Sequence, residues 1–432
     1  MRKSARNIFL IPRAVRFVRS HAMLVVAALV ACVTMVIVPP DSAYLGYFDW
    51  NTLGCLFSVL AVANAFRFAG AFDRIARLAI EHLSTPTSVV MTLVITTGML
   101  SMVATNDLAL IIMLPITLFA LVKAEWGSLI APAFVLEGLA ANLCGMIMPF
   151  GNPQNLYLYS FYSIGLIDFL QTMALPFFVS TGLVLVCTFV MVRISGVQPV
   201  KTNLIDGQSN KQADGQSNKQ QEEQPDEYPD RAPLDRRRLG VYALLLVLAL
   251  LAVFRVVPVV LVVAVIFISL LAMDRTALKA VDYSLLLTFV CFFIFAGNMA
   301  RMPYLGELLK SLMDANELIA PALLSQVISN VPAAVLLSHF TESWQALLVG
   351  VNIGGAGTLI ASLASLITLR FFSGARKIFP DLAKDPATKD PATKDPVTKD
   401  PALSLGRFMK LFTCLNAGFL VALLVVCHLS GV

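Results

Sequence analysis

Nine apolar runs, at 22–40, 50–70, 128–160, 168–193, 238–257, 259–273, 282–302, 345–372 and 405–430, carry their charges almost entirely at their ends. A bilayer core of about 30 Å takes ~20 apolar residues as helix, against ~9–11 for a tilted strand. In lipid every backbone polar group must be satisfied internally, so runs of this length read as spanning helices. The fold class is therefore an all-α polytopic membrane protein, and the run 259–273 spans only if it borrows flanking residues. Composition agrees, at 58% hydrophobic and 14% charged, where a soluble domain holds about 25% charged residues.

The net charge of +5 is no nucleic-acid footprint, because the basic residues sit at the ends of apolar runs. The seven cysteines lie within apolar stretches without metal-type spacing and read as small reduced hydrophobes. Arg2, Lys3, Arg6, Arg13, Arg16 and Arg19 precede the first run, and Pro39-Pro40-Asp41 follows it instead of a small-residue cleavage site. That pattern predicts an uncleaved first helix with a cytoplasmic N-terminus. Two segments are inserts: 201–238 repeats Asp-Gly-Gln-Ser-Asn-Lys-Gln from Asp206 and from Asp214, and 384–402 iterates Lys-Asp-Pro-Ala-Thr. Both are too polar to bury a core and are expected to be disordered cytoplasmic loops.

Two further apolar regions, 84–122 and 316–341, have polar tips near their centres: Thr105-Asn106-Asp107 and Ser329-Asn330-Val331-Pro332. Each reads as a two-armed re-entrant hairpin whose arms are too short to cross. Lys and Arg cluster at 67–77, 193–238, 275–279 and 376–407, which are the inside segments for a cytoplasmic N-terminus. Nine spans and two hairpins then leave the C-terminus outside. Asp49-Trp50-Asn51 opens one helix and Asp282-Tyr283-Ser284 its counterpart in the opposite sense, which predicts an inverted repeat. The expected organisation is a basic N-terminus 1–21, a first repeat 22–193, a linker 194–237 and a second repeat 238–432.

Each tip is followed by a second polar break: Gly151-Asn152-Pro153-Gln154-Asn155, and Ala361-Ser362-Leu363-Ala364-Ser365. Helices are interrupted at membrane depth only where the break is buried in protein or lines a cavity. The free N–H groups of a half-helix suit an anion; the free carbonyls and side-chain oxygens suit Na⁺ or a proton carrier. One such triplet is explained by hydrogen bonding between packed helices, whereas two at equivalent places favour a binding site. Candidate substrate and ion ligands are Thr105, Asn106, Asp107, Gly151, Asn152, Gln154, Asn155, Ser329, Asn330, Ser362 and Ser365.

Asp107 is the only charge between Ser84 and Lys123, and it reads as the coupling-ion site, as the N-cap of the outgoing arm, or as both. Glu137 is either a second proton or cation group or an interfacial carboxylate near Lys123. Asp49 and Asp282 read as helix caps, Trp50 and Tyr283 as interfacial anchors, and Arg255 as a snorkelling cation. Asn142 and Asn352, ten residues before Asn152 and Ser362, extend the internal match. No enzyme motif and no channel selectivity motif is present, and no cofactor is expected.

Thr105-Asn106-Asp107, Gly151-Asn152-Pro153-Gln154-Asn155, Ile328-Ser329-Asn330-Val331-Pro332 and Asn352-Ile353-Gly354-Gly355 together resemble the ion transporter superfamily of arsenite permeases, citrate and dicarboxylate transporters and sodium/proton antiporters. The match is strongest to uncharacterised bacterial inner-membrane permeases with a citrate-transporter-like domain. The resemblance implies a scaffold and a transport domain, a homodimer, and elevator-type movement of the hairpins. In dicarboxylate members, Ser-Asn-Thr at both tips forms Na⁺ and carboxylate sites. Thr105-Asn106 and Ser329-Asn330 fall on those triplets, with Na⁺ expected at Asn106 and Asp107. Asp107 and Val331 replace the threonines, and an Asp after the tip Asn is similar to the arsenite and sodium/proton branches. The expected function is H⁺- or Na⁺-coupled transport of a small inorganic or organic anion, with Na⁺/H⁺ antiport as the alternative.

Overall fold

The computed structural model describes residues 21–80, 83–197, 235–383 and 402–431. The expected N-terminal segment, most of the linker 194–237 and nearly all of the insert 384–402 lie outside these residues. In chain order the helices are α1 (Ala22–Ile37), α2 (Trp50–Phe68), α3 (Ala71–Ile80), α4 (Pro86–Ala104), α5 (Asn106–Lys123), α6 (Ile130–Gly145), α7 (Pro153–Phe161), α8 (Leu166–Ile194), α9 (Arg236–Val253) and α10 (Val259–Met273). They continue with α11 (Arg275–Lys279), α12 (Tyr283–Ala300), α13 (Pro303–Ala315), α14 (Ile319–Ile328), α15 (Asn330–Leu337), α16 (Trp344–Gly354), α17 (Leu363–Ile378), α18 (Pro380–Ala383) and α19 (Leu405–Leu429). The protein is an all-α polytopic membrane protein. Among the described residues, seven helices are long and apolar enough to cross a bilayer.

The helices pack as two bodies. One gathers α1, α2 and α9–α12, and the other gathers α4–α8, α14–α17 and α19 around α6. All residues of α6 but Gly138 are buried. The bodies meet where α2 faces α7 and α12 faces α15.

Polar side chains fix the first body's directions. Asn298 Nδ2 near the end of α12 donates to Thr34 Oγ1 near the end of α1, so those helices run parallel. Asn64 Nδ2 near the end of α2 donates to Ala280 O just before α12, 3.2 Å away, so α2 and α12 run antiparallel. As expected, Asp49 and Asp282 cap these two helices, accepting from Thr52 N and Leu285 N at 3.0 Å each. At the far end Arg301 donates to both carboxylate oxygens of Asp41, at 3.0 and 2.7 Å. These bonds hold the Asp41 carboxyl below the usual carboxylate range.

Two expectations change. The arms of the first hairpin region are 19 and 18 residues long, enough to cross, because Thr105 alone leaves the helix and nothing shortens either side. Only the second region, with arms of 10 and 8 residues, has the expected short arms. The stretches after α2 and α12 form two further helices, the amphipathic α3 and α13. They bury Phe72 and Ala76, and Leu309 and Met313, one turn apart in each case. Arg255 does more than snorkel: at φ 60° its guanidinium donates to Tyr159 O and Ser160 O, the carbonyl end of α7.

Candidate functional site

Each tip is a single residue held outside the helix. Thr105 stands at φ 79°, ψ 148° between α4 and α5, and Ser329 at φ 77°, ψ 155° between α14 and α15. Glycine occupies this region freely, whereas other residues hold it at a cost of about 1–3 kcal/mol and persist there mainly at functional sites. The residue after each tip donates its N–H to a carbonyl of the break that follows, Asn106 N to Gly151 O at 3.3 Å and Asn330 N to Ala361 O at 2.9 Å. Both halves therefore build the same junction, a tip tied to a broken helix.

At the first break, α6 ends and α7 begins after Asn152. A Cβ on Gly151 would stand 2.1 Å from Gly145 O, so the backbone crosses itself where only glycine fits. Gly151→Ala is expected to lower stability by about 1–3 kcal/mol and to displace Asn106 from its carbonyl. Thermal unfolding in detergent, paired with transport, measures both. At the second break Ser362 Oγ caps α17, accepting from Ser365 N at 3.3 Å and lying 3.1 Å from Ser365 Oγ.

The first break is tied to α16, the helix that precedes the second break, through Asn352 near its end. Its Oδ1 accepts from Asn152 Nδ2 and Gln154 Nε2, both at 3.2 Å. Its Nδ2 donates to Asn155 Oδ1 at 2.6 Å and Leu348 O at 2.8 Å. Asn155 Nδ2 also donates to Met146 O and Met148 O, satisfying carbonyls that the end of α6 leaves free. The counterpart of Asn352, Asn142 on α6, is buried with neither amide atom bonded. A Cβ on Gly355 would lie 2.5 Å from Asn142 Nδ2 and 3.0 Å from Asn330 Nδ2.

Asn106, Asp107, Gln154, Ser329, Asn330 and Ser362 line one small pocket. Met23, Leu285 and Phe292 of the other body close its apolar side. The open space is about 20 Å³, room for one water molecule. The N-termini of α5, α7, α15 and α17 all reach this pocket, so four positive dipole ends converge there, with the first-turn N–H groups of Gln154, Val331 and Leu363 lacking intrahelical partners. Asp107 answers them with the pocket's one carboxylate. It does not cap α5: its Oδ1 is buried without a partner, and its own N–H donates to Asn106 Oδ1 at 3.0 Å. Thr105 Oγ1 is likewise buried and unbonded. Thr105, Gly151, Asn152, Asn155 and Ser365 stand just behind the pocket wall, in the bonds that shape it.

Glu137 lies elsewhere. It is fully buried at the middle of α6, where Thr117 Oγ1 donates to its Oε1 at 2.6 Å and Thr97 Oγ1 lies 3.2 Å from the same oxygen. The interfacial reading beside Lys123 is thereby replaced, since the middle of α6 is walled by α4 and α5 while Lys123 is exposed at a helix end. Sequence reasoning also missed Gln326, which fastens the second break: its Nε2 donates to Gly354 O and Ala356 O, and its Oε1 accepts from Thr358 N. A lone glutamine in an apolar arm was the available signal. Among the described residues no group of three His, Cys, Asp or Glu is placed to hold a metal.

Comparison with known proteins agrees with this architecture. The chain is 29% identical to an uncharacterized transporter of Methanocaldococcus jannaschii, over 76% of this chain and 82% of that one. It is 30% identical to the inner membrane protein YbiR of Escherichia coli, over 76% and 81% respectively. A silicon efflux transporter of Oryza sativa subsp. japonica is 30% identical over 33% of this chain and 30% of its own length. The CitMHS citrate transporter model matches residues 14–353. The chain is a membrane transporter and belongs to the citrate transporter family.

Proposed function

We propose that this protein is a secondary active transporter of a small inorganic or organic anion across the cytoplasmic membrane, coupled to H⁺ or Na⁺. The observation that carries the reading is the convergence of four helix N-termini on one pocket beside a single unpartnered carboxylate oxygen. The first-turn N–H groups of Gln154, Val331 and Leu363 take the anion, with the side-chain amides of Asn106 and Asn330 beside them. Asp107, with Asn106 Oδ1 beside it, takes the coupling cation. Asn152, Asn155, Ser365 and the tip hydroxyl of Ser329 hold these groups in place, and the unbonded Thr105 hydroxyl stands ready for a ligand.

The tips would lie in opposed repeats, the second in a re-entrant hairpin with short arms and the first between two arms long enough to cross. Support comes from the antiparallel α2 and α12 and from the matched junctions at Asn106–Gly151 and Asn330–Ala361. The body built on α6 carries the pocket and moves against the body built on α2 and α12, elevator fashion, within a homodimer as the family resemblance implies. The one-water space fits a bare cation and leaves no room for citrate or a smaller oxyacid, so the anion is taken in a wider state of the cycle. A small oxyacid is the substrate class we favour, consistent with the name of the rice relative. The second reading, Na⁺/H⁺ antiport, rests on the same unpartnered Asp107 oxygen, since a lone carboxylate serves a cation without any anion.

Purified protein in liposomes, given silicate, arsenite, phosphate, succinate or citrate under imposed pH or Na⁺ gradients, tests the reading. Gradient-driven movement of one of these anions is the expected result. Exchange of Na⁺ for H⁺ with no anion present would select the antiporter. No movement of any of these anions and no exchange of Na⁺ for H⁺ under any gradient would overturn both.

A further inference from the structure

Glu137 sits apart from the pocket, in a place that holds one proton well and little else. Its Oε1 is within hydrogen-bond distance of two hydroxyls, Thr117 on α5 and Thr97 on α4. Its Oε2 is buried and has no partner. Thr97 has a single hydroxyl proton, and that proton also has Leu93 O as an acceptor at 2.8 Å, nearer than the carboxyl oxygen at 3.2 Å. When Thr97 donates to Leu93, the contact with Glu137 lacks a hydrogen unless Glu137 supplies it. A protonated carboxyl completes the set: Thr117 donates to Oε1, and the acid proton goes to Thr97 Oγ1.

A metal ion is a poor fit for the same place. The carbonyls of α4, α5 and α6 at this level are committed to their own helices, which leaves one carboxylate and two hydroxyls. No charge faces Glu137 from the elements around it. Asp107 is at the far tip of α5, and Lys123 is exposed at its end. Asp168 and Arg193 on α8, Arg370 and Lys377 on α17, and Arg407 and Lys410 on α19 are exposed, while Arg376 lies near the end of α17.

We propose that Glu137 is a second proton-binding site of the transport cycle, where one proton shared with Thr97 locks α4 onto α6. Losing it leaves a carboxylate with one donor and a bare buried oxygen, which is costly in a water-free interior. Release therefore requires α4 to part from α6 or water to enter between them, and by linkage the same parting promotes release. That the proton drives an anion rests on the function proposed above; its residence on Glu137 does not.

Infrared difference spectra of the full-length protein in lipid, recorded as pH is varied, test the site without any substrate. A protonated-acid carbonyl band that fades on alkalinisation, shifts in Thr97→Val and is missing in Glu137→Gln is expected. Hydrogen exchange of residues 97–117, corrected for its intrinsic pH dependence, reads the lock. Wild-type exchange should rise about tenfold across the same range, and Glu137→Gln should hold one rate. No band lost in Glu137→Gln at any pH overturns the site. A band without the exchange change makes Glu137 a buried acid with no part in the cycle, and overturns the lock. Absence of anion transport would leave both readouts standing.

Discussion

Asp107→Asn is expected to reduce gradient-driven transport by about a hundredfold, the upper range of single-site coupling, while insertion and thermal stability stay near wild type. The stability half follows from the bonding. Asp107 Oδ1 has no hydrogen-bond partner, and the backbone N–H of residue 107 donates to Asn106 whichever side chain follows. An amide of the same shape breaks nothing there. The transport half follows from charge: Asp107 is the one ionisable group between Ser84 and Lys123, and a carboxylate at membrane depth is retained for function. Uptake with and without an imposed gradient separates the two halves. Counterflow without a gradient should survive better than driven uptake. Undiminished driven uptake in Asp107→Asn would take coupling away from this residue, and a collapse in melting temperature would make it structural.

What was legible in the sequence was whatever broke an apolar pattern. Thr105-Asn106-Asp107 and Gly151-Asn152-Pro153-Gln154-Asn155 stand out because polar and helix-breaking residues have no cheap place in lipid, and the structure brings both to one pocket. Asp49 and Asp282 were legible as caps because a carboxylate before an apolar run has one obvious local use. Interactions set by tertiary neighbours were not legible. The left-handed φ of Arg255 and its grip on α7 depend on a carbonyl about a hundred residues away in sequence. The full-length arms of the first tip were hidden because a one-residue interruption costs little helix, while a polar triplet in sequence suggests a wider break. The helices α3 and α13 were obscured by charge counting, although Phe72 with Ala76 and Leu309 with Met313 carried a helical spacing.

The two asparagines that match across the halves should respond in opposite ways. Asn352→Ala removes a hub that accepts from Asn152 and Gln154 and donates to Asn155 and Leu348. Asn152 keeps a bond to Asn142 O at 3.3 Å, but Gln154 Nε2 and Asn155 Oδ1 lose the partner that Asn352 supplied. Leaving buried polar groups unpaired costs about 1–3 kcal/mol each. Side-chain hydrogen bonds within membranes average nearer ~0.6 kcal/mol, because the unfolded state also finds partners. The desolvation term should win here, since α7 cannot turn its amides to water. A loss of about 2–4 kcal/mol is expected, with transport abolished because Gln154 lines the pocket. Asn142→Ala deletes an amide that bonds to nothing, so its melting temperature should stay at or above wild type. Its loss should appear in ligand-induced stabilisation, because Asn142 Nδ2 lies beside Asn330 across Gly355 and is free to meet what the tips bind. Thermal unfolding of both variants, with and without the anion identified in liposomes, decides the matter: equal destabilisation would mean that Asn142 has a partner, and would remove it from the site.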